Sequence, residues 1–252
     1  MKIAVAGGTG TVGTHVVSAA RARGHEVVVL SRSEGVDLTT GVGLDAALTG
    51  VNAVVDVASL QTQSADAATR FFSTVTDNLL AAEKRAGVGH HVALSIVGID
   101  GSSYGYYKGK LAQERALLAS DAPFTLLRAT QFHEFAQQMV AQLSYGPFTA
   151  VPAMRTQPVA ASEVASRLVD LAAGAPQARV ADLAGPREEN LARMVRAYLR
   201  AIGRRALVIP LSLPGAAFVA MRDGSLLAGP AADLGQQTYD RWLAERVATA
   251  QR

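Results

Sequence analysis

Four glycines, at positions 7, 8, 10 and 13, stand in the run GGTGTVG directly after a short apolar stretch, KIAVA. A parallel strand that turns sharply into a helix leaves backbone N–H groups aimed at an anion, and this spacing suits the pyrophosphate of a dinucleotide. One glycine permits the tight turn and one lets the backbone approach the pyrophosphate without a Cβ. Gly13 lets the helix pack closely on the strand. Gly7, Thr9, Gly10, Thr11, Val12 and Gly13 are therefore expected to line the pyrophosphate, with the Thr9 and Thr11 hydroxyls as further contacts.

The residues after the second strand choose the type of dinucleotide, because they meet the adenosine ribose. Here VVVLSRSEG puts Ser31, Arg32 and Ser33 where an acid is expected. A carboxylate accepts from a free 2′-hydroxyl, whereas a guanidinium and hydroxyls donate to a 2′-phosphate, so the expected cofactor is NADP(H). In the competing reading Arg32 is an exposed strand end and Glu34 takes the ribose. Asp37 and Leu38 are candidates to meet the adenine, and Ala58 and Ser59 to approach the ribose and pyrophosphate; Asp37 as a cap and Ser59 as a loop start are the structural alternatives.

These residues need a frame of alternating elements, and the chain supplies one. Apolar runs at 2–6, 26–31, 53–58, 90–98 and 124–130 read as strands, with helical patterns at 11–23, 43–48, 65–86 and 106–120 between them. Continuously apolar strands separated by helices predict an α/β fold, a Rossmann-type doubly wound parallel sheet. After Thr130 the texture changes: a helix, two proline-containing turns, a helix capped by Ser162, a strand within 178–186, and helices interrupted by PLSLPG. The prediction is a single domain over 1–252. Its nucleotide-binding part is about 1–130 plus 156–185, and a small, mostly helical substrate lobe takes 131–155 plus 186–252.

Composition narrows the classes. The 252 residues are 49% hydrophobic and 18% charged, as in a packed globular chain. Absent cysteine excludes disulfides, thiolate catalysis and cysteine metal sites, and it agrees with a cytoplasmic location. The net charge of +3 is scattered, so no nucleic-acid partner is expected. The most apolar C-terminal stretch, 209–221, is too short for a membrane span and carries Pro210 and Pro214. Neither His90-His91 nor His133-Glu134 reads as a metal site, since neighbouring positions point to different faces. Asn78 reads as a helix-face residue with a proton relay as the alternative, and Phe218, Tyr239 and Trp242 as packing.

With the glycine turn, SRS, ALSIVG, YYKGKLAQE and FTLLRATQF in that order, the chain resembles the short-chain dehydrogenase/reductase superfamily, specifically its atypical, NmrA-like NAD(P)H-binding branch. The resemblance runs over nearly the whole length, to AGP at 184–186 and the WLAE ending. It implies a Tyr and a Lys four residues apart on a helix, with a Ser from the preceding strand end. Such a Tyr protonates a developing alkoxide, and a nearby ammonium lowers its pKa and holds the nicotinamide ribose. Two overlapping pairs are present, Tyr104 with Lys108 and Tyr106 with Lys110. Tyr106 and Lys110 are preferred because KLAQE continues from Lys110 to Glu114, as in the superfamily's KxxxE pattern. Ser95 would orient a substrate carbonyl, Ala129 and Gln131 would meet the nicotinamide, and Phe132 the substrate.

The resemblance implies an NADPH-dependent oxidoreductase acting on a small, fairly hydrophobic carbonyl, enone or quinone-like molecule. A non-catalytic NADP(H) sensor and a cofactor-retaining epimerase or isomerase stay open, as does a homodimer.

Overall fold

The computed structural model describes residues 1–250, in two compact units: Met1–Arg128 with Ser162–Ala181, and Ala129–Ala161 with the described residues from Asp182 on. Residues 129–130, 156–161 and 182–185, expected with the nucleotide-binding part, fall in the second unit.

Strands and helices alternate from the start: β1 (Lys2–Ala6), α1 (Thr11–Ala22), β2 (Glu26–Leu30), α2 (Leu44–Ala47), β3 (Ala53–Asp56), α3 (Ala65–Ala86), β4 (His90–Ile96), α4 (Gly105–Leu118) and β5 (Phe124–Ala129). Then come α5 (Phe135–Leu143), β6 (Ser144–Tyr145), β7 (Phe148–Pro152), β8 (Arg155–Thr156), α6 (Ala161–Ala173) and β9 (Ala178–Arg179). The chain closes with β10 (Leu183–Ala184), β11 (Glu189–Asn190), α7 (Leu191–Ala201), β12 (Leu207–Leu211), α8 (Ala216–Asp223), β13 (Asp233–Leu234) and α9 (Tyr239–Ala250).

In the first unit the sheet runs β5-β4-β3-β1-β2, with β9 also beside β5. β1 pairs in parallel with both β2 and β3, so that Val5 lies opposite Val29 on one side and Val55 on the other. Ile3, Ala4 and Val5 are fully buried, the pattern of a strand covered on both faces. Because β2 and β3 flank β1, the strand order reverses there, and the crevice beyond the carboxyl ends of β1 and β3 is where such sheets take ligands.

Local signals set the helix bounds. Ser64 accepts from the Ala67 N–H to cap α3, and Gly87, at φ +70°, ends it in the left-handed region. α6 begins at Ala161, so Ser162 stands inside its first turn instead of capping it.

In the second unit Leu183 pairs in parallel with Ala129, and β10 with β13. The unit also holds a three-stranded sheet, β12-β7-β6, which the sequence reading had assigned to helices and turns. β7 and β12 carry Pro152 and Pro210, residues that weigh against a strand in a sequence reading, and β6 has only two residues. Helix α7 buries Leu191, Met194, Val195, Tyr198 and Leu199 along one stripe, and the Tyr239 hydroxyl donates to the Met194 carbonyl. Among the described residues no helix is long and apolar enough to cross a membrane.

Candidate functional site

The glycine turn is wedged into the crevice at the strand-order reversal. Gly7 has φ +78°, and a Cβ there would lie 2.8 Å from Ala58 Cα and 2.9 Å from Val57 O. A Cβ on Gly13 would lie 2.1 Å from Gly7 O and 2.7 Å from Gly8 Cα. Both positions therefore exclude any side chain, one for contact with the end of β3 and one for contact of α1 with the turn. The Gly10 N–H closes the turn on Gly7 O at 2.9 Å, and no side chain caps α1. The first N–H groups of α1 are thus left for an anion, with Thr9, Gly10 and Thr11 exposed around them. The Val12 side chain is buried, which leaves only its backbone N–H for a phosphate. A cradle that a Cβ would fill and an uncapped helix end fit a dinucleotide pyrophosphate.

At the end of β2, Ser31 leads into a 3-10 turn, Arg32–Glu34. The Ser31 and Ser33 hydroxyls are 2.9 Å apart, beside exposed Arg32 and Glu34. Asp37, placed at the adenine by the sequence reading, turns Oδ1 to the Thr39 N–H, the Thr39 hydroxyl and the Thr40 N–H. These bonds hold its carboxyl below the usual range, led by the Thr39 hydroxyl, and make it a turn former. Leu38 packs against the core cluster that holds Val54 and Leu79. Asn78 Nδ2 donates to the Leu38 and Thr39 carbonyls at 3.0 Å each and holds this turn on α3.

Helix α4 carries the Tyr and Lys pairs, and its placement decides between them. A Cβ on Gly105 would meet Gln63 O at 2.1 Å, and one on Gly109 would meet Ala68 and Phe72 at 2.7 Å. These two glycines let α4 lie directly on α3 and the loop before it. That approach brings the Tyr106 hydroxyl to Ser59 Oγ, 2.9 Å away, with its ring edge-on to Phe72 at 5.5 Å. Burial raises the Tyr106 phenol above its ordinary value, and the Ser59 hydrogen bond offsets part of the rise. Lys110 is 4% exposed, donates to Leu94 O at 2.6 Å and to Gln113 Oε1, and sits 4.7 Å from the Phe72 centroid. Burial lowers it to about 8 against the opposing pull of Asp56 and Glu114. Its ammonium bonds to Leu94 and Gln113, so what Lys110 shares with Tyr106 is the Phe72 ring.

The other members of the pattern separate. Tyr104 precedes α4 as its N-cap residue and Lys108 is exposed, so that pair builds no buried centre. Ser95 is 2% exposed and its Oγ makes no hydrogen bond; the serine on the phenol is Ser59, which the sequence reading had given to the ribose. Glu114 has a structural partner: it accepts two hydrogen bonds from Arg128, whose guanidinium also binds Asp100. Asp56, unnamed in the sequence reading, is fully buried and accepts from the Ala58 N–H at 2.9 Å and from Gln113 Nε2 at 2.7 Å.

In the second unit Ala129 is buried against Leu183. Gln131 Oε1 accepts from the Thr156 hydroxyl, and Phe132 bridges to Val159. The histidines pack as structural groups. His90 meets Thr125 Oγ1 and Gly174 O, His91 meets Glu83 on the other face, and His133 lies 5.7 Å from the rings of both Tyr239 and Trp242. Among the described residues no group of three or more His, Cys, Asp or Glu is placed to hold a metal ion.

Residues 34–175, more than half the chain, match the model of a family described as NAD(P)H-binding. The match takes in Ser59 and all of α4, and it begins at Glu34, after the glycine turn and after Ser31, Arg32 and Ser33. No curated protein matched the chain. Among solved structures it is similar to UDP-N-acetylglucosamine 4-epimerase from Bacillus cereus, at 17% identity over 100% of both chains and a TM-score of 0.72. An NADPH-dependent quinone oxidoreductase from Escherichia coli aligns at 17% identity over 97% of this chain and 99% of that one, with a TM-score of 0.69. Triphenylmethane reductase from Citrobacter sp., complexed with NADP(H), aligns at 16% identity over 98% and 100%, with a TM-score of 0.70. At such identities the likeness is one of fold. Because the family model spans more than half of the chain, the chain belongs to the family described as NAD(P)H-binding, on the Rossmann-type fold that it shares with these epimerases and reductases.

Proposed function

We propose that the protein is an NADPH-dependent oxidoreductase that reduces a small, fairly hydrophobic carbonyl, enone or quinone-like substrate, with Tyr106 as proton donor. The observation that carries this reading is the Tyr106 hydroxyl, held by Ser59 beyond the end of β3 and packed on the same Phe72 ring as the buried Lys110. When bound, the nicotinamide supplies the hydride. The remaining work falls to the chain. The turn and the first N–H groups of α1 hold the pyrophosphate, and Arg32 with Ser31 and Ser33 bind a 2′-phosphate. Burial keeps the Tyr106 phenol protonated at neutral pH, and Ser59 orients its O–H toward the oxygen on which charge develops. Once the proton has left, the Ser59 hydroxyl donates to the phenolate oxygen.

The choice of NADPH rests on Arg32. Arg32→Asp is expected to weaken NADPH binding roughly 10- to 100-fold, the loss of one or two charge-assisted hydrogen bonds, while NADH binding holds or improves. Fluorescence titration with both nucleotides reads this, and an unchanged NADPH affinity overturns the assignment. Stopped-flow oxidation of NADPH across a carbonyl, enone and quinone panel tests the reaction. Tight binding with no turnover on any acceptor would leave a redox sensor in its place. The likeness to a sugar-nucleotide epimerase favours one second reading, an enzyme that uses the nicotinamide internally. Nucleotide retained through purification would select it.

A further inference from the structure

We infer that Asp56, acting through Gln113, is a positioning residue for Lys110: it fixes the direction of the Gln113 amide and so holds the Lys110 ammonium charged and seated on Leu94. The inference deepens the reading of Lys110 given above and rests on it for turnover, though not for the ionisation of Lys110 itself.

An ammonium has three donors and no acceptor, and a carboxylate is acceptor only. Lys110 gives one N–H to Leu94 O and a second to Gln113 Oε1, and the face of Phe72 lies 4.7 Å away for the third. A glutamine side chain fits its space in either of two orientations. Only one satisfies both neighbours here, with the carbonyl toward Lys110 and the NH₂ toward Asp56, where Nε2 lies 2.7 Å from Oδ2. The other Asp56 oxygen is fixed by the Ala58 N–H. The row Lys110, Gln113, Asp56 therefore runs in one direction and ends on backbone.

The row is dry. Asp56 is 0% exposed, Gln113 1% and Lys110 4%, so an unbalanced ammonium would be costly there. The charged and titratable groups that face it are few. Glu114, on α4 itself, is shared with Arg128 at 2.6 Å. His91 on β4 is paired with Glu83 of α3, and what α3 turns to Lys110 is the Phe72 ring. Tyr106 bonds to Ser59. Asp56 of β3 is the carboxylate left to balance Lys110, and the Gln113 amide carries its influence there.

The chain has four lysines, Lys2, Lys84, Lys108 and Lys110, so protein labelled with 13C at the lysine Cε gives four signals, and Lys110→Arg identifies one of them. Titrating the full-length protein without nucleotide reads the Lys110 midpoint directly. Removing the Asp56 charge disfavours the ammonium, so Asp56→Asn is expected to move that midpoint to lower pH by about one unit or more. The alkaline limb of NADPH binding should move the same way. The double variant Asp56→Asn with Gln113→Glu places the carboxylate on Lys110 directly and should bring the midpoint back to, or above, its starting value. A lowered thermal midpoint with an unmoved Lys110 titration would mean that Asp56 is merely structural and would overturn the inference. If Asp56→Asn does not fold, Gln113→Met decides: a lowered midpoint supports the row and an unchanged one overturns it. If Asp56→Asn moves the Lys110 midpoint but the parent protein oxidises no NADPH, the inference is retained and only the reductase reading is lost.

Discussion

Gly13→Val is expected to abolish nucleotide binding, with affinity for NADPH down by more than about 100-fold, or roughly 3 kcal/mol. Any Cβ at this position lands 2.1 Å from Gly7 O and 2.7 Å from Gly8 Cα, so the turn has to shift. It has nowhere to go. On its other side Gly7 already meets Ala58 at the end of β3, and Gly7 O is tied to the Gly10 N–H. Displacement would move the amides that face the pyrophosphate, and the strain should also cost about 1–3 kcal/mol of fold stability. Gly10→Ala is the control that separates the two effects. Its added Cβ meets nothing closer than Gly7 O at 3.3 Å, and the position is exposed, so the thermal midpoint should hold while NADPH binding weakens. Isothermal titration and thermal unfolding of both variants read the result. A Gly13→Val protein that binds NADPH normally would show that the pyrophosphate lies elsewhere.

Tyr106→Phe should lower turnover by about 10²- to 10⁴-fold, the usual contribution of a positioned acid, and leave the fold and NADPH affinity nearly unchanged. The ring keeps its edge-on contact with Phe72, and the hydroxyl's partner, Ser59, is exposed and free to bind water instead. Nothing buried is left unsatisfied. The expected signature is therefore a fall in kcat with KM for NADPH held, together with a thermal midpoint within a few degrees of the parent. Full turnover in Tyr106→Phe would remove Tyr106 as the donor. Ser59→Ala, which removes the hydroxyl that orients the phenol, should lower kcat by a smaller factor in the same direction.

Much of this molecule was open to reading from the chain alone, and the reasons are local. A glycine at 13 is legible because a strand running into a helix permits little else there, and α3 kept its expected bounds because Ser64 and Gly87 mark them within a few residues. That Arg32 and Ser33 follow a strand was likewise legible, although β2 ends one residue earlier, at Leu30. The partner of Tyr106 was not. Ser59 and Tyr106 are 47 residues apart, Asp56 and Gln113 are 57 apart, and no periodicity relates them. Ser95 was the serine expected there because it stands near the end of β4, the strand before the helix. Lys110 and Lys108 look alike in sequence, yet one is buried and the other exposed.

What distinguishes them is the close approach of α4 to α3, which Gly105 and Gly109 permit and which turns one face of α4 inward. By itself, then, the sequence determined the strand–turn–helix with its tight glycine turn, since that geometry is set by neighbours along the chain. Which serine meets the phenol, and which carboxylate balances the lysine, was decided only by tertiary packing, because those contacts form only once α4 lies against α3 and the end of β3.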